Sequence, residues 1–72
     1  MANIHQLFAE NVKRLLARRK LTAEGLAGSL EIGKAHVSRV LSRKKKASLD
    51  FVQGTAGYLG VEVADLFKKP RK

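Results

Sequence analysis

Apolar residues recur at intervals of three and four along nearly the whole chain, and no proline interrupts them before Pro70. That period gathers them on one side of successive α-helices. Long alternations of apolar and polar residues, the mark of half-buried strands, are absent. An all-α fold is therefore expected. The 72 residues are enough for one domain, expected over residues 1–67, with a basic flexible tail over 68–72. No cysteine is present, which removes disulfides and thiolate metal sites and suits a reducing, cytoplasmic setting. His5 and His36 are not spaced as a metal pair, so neither a metal nor a cofactor is expected.

The helices can be read from their punctuation. Asn3, followed three residues later by Gln6, has the form of a capping box opening a helix over about Ile4 to Arg19. Ile4, Leu7, Phe8, Val12, Leu15 and Leu16 form its apolar face. Thr22 caps a second helix over Ala23 to Leu30, with Leu26, Ala27 and Leu30 turned inward. The turn Glu31-Ile32-Gly33 leads to a third helix, Lys34 to about Ser42, which buries Val37, Val40 and Leu41. Ser48 caps a fourth, about Leu49 to Leu59, expected to bury Leu49, Val52, Ala56 and Leu59. Gly54 and Gly57 weaken it by roughly 1 kcal/mol each against alanine. Gly60 ends it in a left-handed conformation, and Val61, Val63, Leu66 and Phe67 suit a short fifth helix.

Charge then narrows the function. The formal net charge is +9, a field that favours polyanions. No acidic residue falls between Glu31 and Asp50, an interval that holds Lys34, Arg39, Arg43, Lys44, Lys45 and Lys46. No apolar run reaches membrane-spanning length, and MANIHQLFAE lacks the order of a signal peptide. The few aromatic residues, Phe8, Phe51, Tyr58 and Phe67, argue against stacking on single strands. No nucleophile–base pair, carboxylate dyad or phosphate-cradling glycine loop can be assembled, so no enzymatic activity is expected. A short electropositive helix on a small body suits the major groove of duplex DNA.

The residues also carry a family likeness. Leu26-Ala27, Val37-Ser38-Arg39-Val40, Ser48-Leu49, Ala56, Leu59-Gly60-Val61 and Asp65-Leu66-Phe67 stand in joint spacing from Leu21 to Phe67. In this the chain resembles the Cro and phage-repressor helix-turn-helix family, often called XRE-like. The resemblance implies a compact, lambda-repressor-like domain of about five helices that regulates transcription, as a Cro-like repressor does. It implies that the third helix reads bases through Lys34, Ala35, Ser38 and Arg39. Arg39 and Lys34 can donate to guanine O6 and N7, and Ala35 can offer a methyl to thymine. Phosphates would be held by Thr22, His36, Arg43, Lys44, Lys45 and Lys46, with Arg14 and Arg18 in reserve. The partner implied is double-stranded DNA with a two-fold symmetric operator, half-sites about 10–10.5 base pairs apart. The chain would bind as a homodimer, with Phe51, Tyr58 and Val63 as dimer residues, in the bacterial nucleoid or as a phage-encoded protein.

The chain departs from the family's pattern at several places. Ala23 stands for a usual glutamine, Glu31 for a glycine in the turn, Leu41 and Arg43 for a glutamate and a glycine, and Ala47 for a frequent proline. A left-handed Glu31 costs roughly 1 kcal/mol. These changes keep two further readings open. One is a protein-binding helix-turn-helix that modulates another repressor. The other is a non-specific nucleic-acid-binding protein.

Overall fold

The computed structural model describes residues 3–42 and 44–69. Four α-helices follow one another: α1 (Ile4–Arg18), α2 (Ala23–Leu30), α3 (Lys34–Leu41) and α4 (Leu49–Leu59). Where a fifth helix is expected, the chain makes a single 3-10 turn, Val63–Phe67. No strand occurs among the described residues.

Three of the four α-helices start at a side-chain cap. Asn3 accepts from the His5 amide, Thr22 from the Gly25 amide and Ser48 from the Phe51 amide. These side chains satisfy donors that have no partner within the helix. Gln6 does not close a capping box with Asn3; it donates to Glu10 one turn on, at 3.1 Å. The reciprocal box is found instead at the 3-10 turn, between Glu62 and Asp65.

Three helices end in the same way. Lys20 (φ 57°), Glu31 (φ 58°) and Gly60 (φ 69°) are left-handed. The amide after each reaches back to a carbonyl five residues earlier: Leu21 to Leu16, Ile32 to Ala27, Val61 to Ala56. This is the Schellman pattern, and its usual hydrophobic contact is present. Leu21, Ile32 and Val61 all pack against the core. The motif turns the chain sharply, so that α2 lies against both α3 and α4.

The core is filled by Phe8, Val12 and Leu16 of α1, Leu26 and Ala27 of α2, Val37, Val40 and Leu41 of α3, Phe51, Val52, Ala56 and Leu59 of α4, and Leu66. Phe8 stands at its centre, edge-on to Phe51 and stacked on Phe67. Asn11 is fully buried among them. Its amide donates to the carbonyls of Leu66 and Lys68, both at 2.8 Å. Those two bonds tie the last segment to α1. A five-residue segment with its carbonyls captured from outside suits the tighter 3-10 form.

Some expectations fail at helix ends. Leu49 is 87% exposed. It lies about 90° off the centre of α4's buried stripe, at 100° per residue, and in the first turn, beyond the other helices. Phe51 takes the inward place and is buried, so it cannot serve as a dimer surface. Ile4 is likewise exposed at the first position of α1. Gly54 has a packing reason, since a Cβ there would run into the side chain of Leu30. Nothing lies near Gly57, and the structure gives no reason for it.

Candidate nucleic-acid interface

α3 is amphipathic in the way the spacing predicts. Val37, Val40 and Leu41 are buried, while Lys34, Ala35, Ser38 and Arg39 are exposed on the other side. Leu41 is 7% exposed and packs mainly into the core. At 1.5 Å per residue, the eight residues of α3 extend about 12 Å, comparable to the width of a major groove.

The start of α3 is electrostatically unfavourable by itself. Gly33 precedes it with no side-chain cap, no acidic residue lies in its first turn, and its first residue is Lys34. A cation at the positive end of a helix dipole costs a few tenths of a kcal/mol. An approaching anion reverses that sign. Glu31 exposes a carboxylate at the turn before α3.

α1 borders this surface through Lys13. A cleft brings Lys13 together with Ala23, Lys34, Ser38, Leu41 and Ser42. Lys13 is absent from the residues expected to touch phosphate, because at the end of α1 it reads as a dipole complement. Its position beside the buried Val12 puts it on a flank of the helix, but the sequence does not say which neighbour that flank meets. Arg14 and Arg18 lie elsewhere. They share a groove with Val61, Asp65 and Lys68, between α1 and the 3-10 turn.

At the other end of α3 the chain folds back on itself. The amides of Lys44 and Lys45 and the Ser42 hydroxyl all donate to the carbonyl of Arg39. This holds the loop against the C-terminus of α3, and Lys44, Lys45 and Lys46 are exposed on it. The same lysines face Asn3, His5 and Gln6 at the start of α1 across a shared depression. Arg43 lies outside the described residues.

His36 makes two contacts that its place in the sequence does not indicate. Its ring is half-buried and tilted over Phe51, with centroids 5.7 Å apart. Nδ1 lies 3.2 Å from Lys45 Nζ. An ammonium has only donors, so Nδ1 accepts and His36 orients Lys45. Thr22 is exposed, but its hydroxyl oxygen accepts from the Gly25 amide at 3.0 Å, and Glu24 occupies the same first turn. Tyr58 is half-buried, its hydroxyl packed where a Cβ on Gly25 would sit. Val63 is 42% exposed and remains free as a surface residue.

The arrangement that results is a continuous basic surface: Lys13, then α3 with Lys34, Ser38 and Arg39, then Lys44 to Lys46. Among the described residues no three metal-ligating side chains converge, and no helix is long and apolar enough to cross a membrane.

No protein-family model matches the chain, and no curated protein matches it. Among solved structures it is similar to the crystal structure of a hypothetical transcription factor, NHTF, from Neisseria. The TM-score is 0.87 at 22% identity, covering 94% of this chain and 78% of that one. At that identity the likeness shows a shared fold.

Proposed function

We propose that the chain is a sequence-specific regulator of transcription that reads duplex DNA in the major groove with α3. One observation carries this reading. α3 buries its apolar residues and exposes Lys34, Ala35, Ser38 and Arg39 at an uncapped, cationic start, with lysines on both flanks. The Neisseria protein of the same fold is described as a hypothetical transcription factor, which agrees with the reading.

Arg39 and Lys34 supply guanine readout, Ser38 a versatile hydroxyl, and Ala35 a methyl for thymine. Lys13 and Lys44 to Lys46 supply phosphate contacts that set register without reading sequence. Membership of the Cro and phage-repressor family, repression rather than activation, a homodimer on a two-fold operator, a cytoplasmic location and the absence of catalysis belong to the same proposal. Val63 is its first dimer residue.

Two substitutions test it. Arg39→Ala is expected to relax preference at one base position, by about 1–3 kcal/mol of discrimination. Lys45→Ala is expected to weaken all duplexes alike and to reduce the salt slope by about 0.9. If Arg39→Ala changes neither affinity nor preference, α3 is not the reading element. Glu31 favours a second reading, a protein partner, since its exposed carboxylate beside α3 repels phosphate. Binding to an acidic protein by a chain that shows no affinity for duplex DNA would support it.

A further inference from the structure

Arg14 and Arg18 stand one turn apart on α1 and do not border α3. Their groove, of about 370 Å³, runs between α1 and the 3-10 turn and holds Lys68, Lys69 and Asp65 as well. Lys13, on the α3 side, is about 100° away from Arg14 around the helix. The chain thus carries two separate cationic grooves, one on each flank of α1.

The second groove is built on a buried polar anchor. Asn11 Oδ1 accepts from Arg14 Nη2 at 2.8 Å, while Asn11 Nδ2 holds the carbonyls of Leu66 and Lys68. One fully buried side chain therefore fixes the guanidinium of Arg14 relative to the backbone that carries Lys68 and Lys69. Asp65 pairs with Lys68 at 2.8 Å. No carboxylate pairs with Arg14, Arg18 or Lys69 among the described residues. Arg14 has five N–H donors and uses one on Asn11, so most of its fork is free. Three unpaired cations around a concave surface, one of them preoriented, match adjacent phosphate groups better than a single carboxylate.

We propose that the α1–3-10 groove is a second phosphate-binding site, distinct from the α3 surface, which takes consecutive phosphates through Arg14, Arg18 and Lys69. Two sources present that chemistry: the backbone of a second duplex segment, and a free polyphosphate-bearing ligand. In the first case one molecule links two DNA segments. In the second the groove is an effector site behind the reading helix.

The test uses the full chain and inorganic triphosphate as the probe, followed by NMR at about physiological salt. The largest shifts are expected at the Arg14 and Arg18 side-chain N–H groups and the Lys69 amide. The double variant Arg18→Gln with Lys69→Gln leaves the Arg14–Asn11 bond intact, and its fold is checked by its melting temperature. It is expected to weaken triphosphate binding about tenfold or more, since each lost cation removes one phosphate contact. Lys34→Gln with Arg39→Gln is expected to leave the triphosphate-induced shifts at Arg14, Arg18 and Lys69 unchanged.

Co-capture of two differently labelled duplexes separates the sources. Bridging that the Arg18→Gln, Lys69→Gln variant loses, with single-duplex affinity intact, assigns the groove to a second duplex. Specific triphosphate binding without bridging assigns it to a free ligand. Shifts spread evenly over all surface lysines and arginines, unaffected by the double variant, would overturn the proposal.

Discussion

Asn11 is a polar side chain in a fully buried position, and three hydrogen bonds account for it. Replacing it by alanine leaves the carbonyls of Leu66 and Lys68 and one guanidinium N–H without their partner. At about 1–3 kcal/mol for an orphaned buried group, Asn11→Ala is expected to cost roughly 2–4 kcal/mol in urea unfolding. In a domain this small that is a large share of the total. A loss under about 0.5 kcal/mol would show that water replaces the side chain. The signal was present in the sequence, because Asn11 falls on the apolar stripe of α1, three residues after Phe8 and four before Leu15. Its partners were not legible, since they lie 55 and 57 residues away. His36 illustrates the same limit. Its residue type and place beside α3 suggest a phosphate contact, but the direction of its ring is decided by Phe51 on another helix.

The Schellman endings explain why this sequence turns where it does, and they reveal where it is strained. A left-handed non-glycine residue costs about 1–2 kcal/mol, and glycine returns part of that as lost chain entropy, about 0.5–1 kcal/mol. Glu31→Gly and Lys20→Gly are each expected to stabilise the fold by several tenths to about 1 kcal/mol, read as a higher urea midpoint at unchanged m-value. Destabilisation by either would contradict the steric account. The left-handed turn at Glu31 was readable from its place in the family pattern, whereas Lys20 offered no comparable cue. The 3-10 turn is anchored by charge. The Lys68 ammonium and the Glu62 amide hold the Asp65 carboxyl below its usual range, and Asp65 in turn raises the Lys68 ammonium. A lowered carboxylate stabilises the fold above the ordinary carboxylate range and loses that contribution as pH falls through it. A raised ammonium does so below the ordinary lysine range and loses it on the alkaline side. The NMR shift of the Glu62 amide, bonded to Asp65 Oδ2 at 3.0 Å, is expected to follow ionisation of the Asp65 carboxyl with a midpoint below that of an unpaired aspartate. A midpoint at or above the unpaired aspartate's would contradict the pairing. The effect on overall stability is small because both groups are exposed to solvent.

The described residues extend 31 × 24 × 18 Å along their principal axes and carry a single α3, while half-sites one helical turn apart lie ~34 Å from one another. One copy therefore presents one α3 to one half-site, and two-fold readout needs two copies. Helix order, caps and the exposed face of α3 were legible in the sequence because they depend on contacts within a few residues. The two flanks of α1 were not, because which neighbour each flank meets is settled only when α3 and the 3-10 turn dock. That is why the sequence does not place Lys13 beside α3, nor Arg14 and Arg18 beside the 3-10 turn. The central claim, that α3 reads sequence in duplex DNA, is tested most directly by selection from a random duplex pool at about physiological salt, where specific and non-specific binding separate. Enrichment of a two-fold symmetric site, lost at one position of each half when Arg39 is replaced by alanine, is the predicted result. Salt-sensitive binding with no enriched sequence would contradict it.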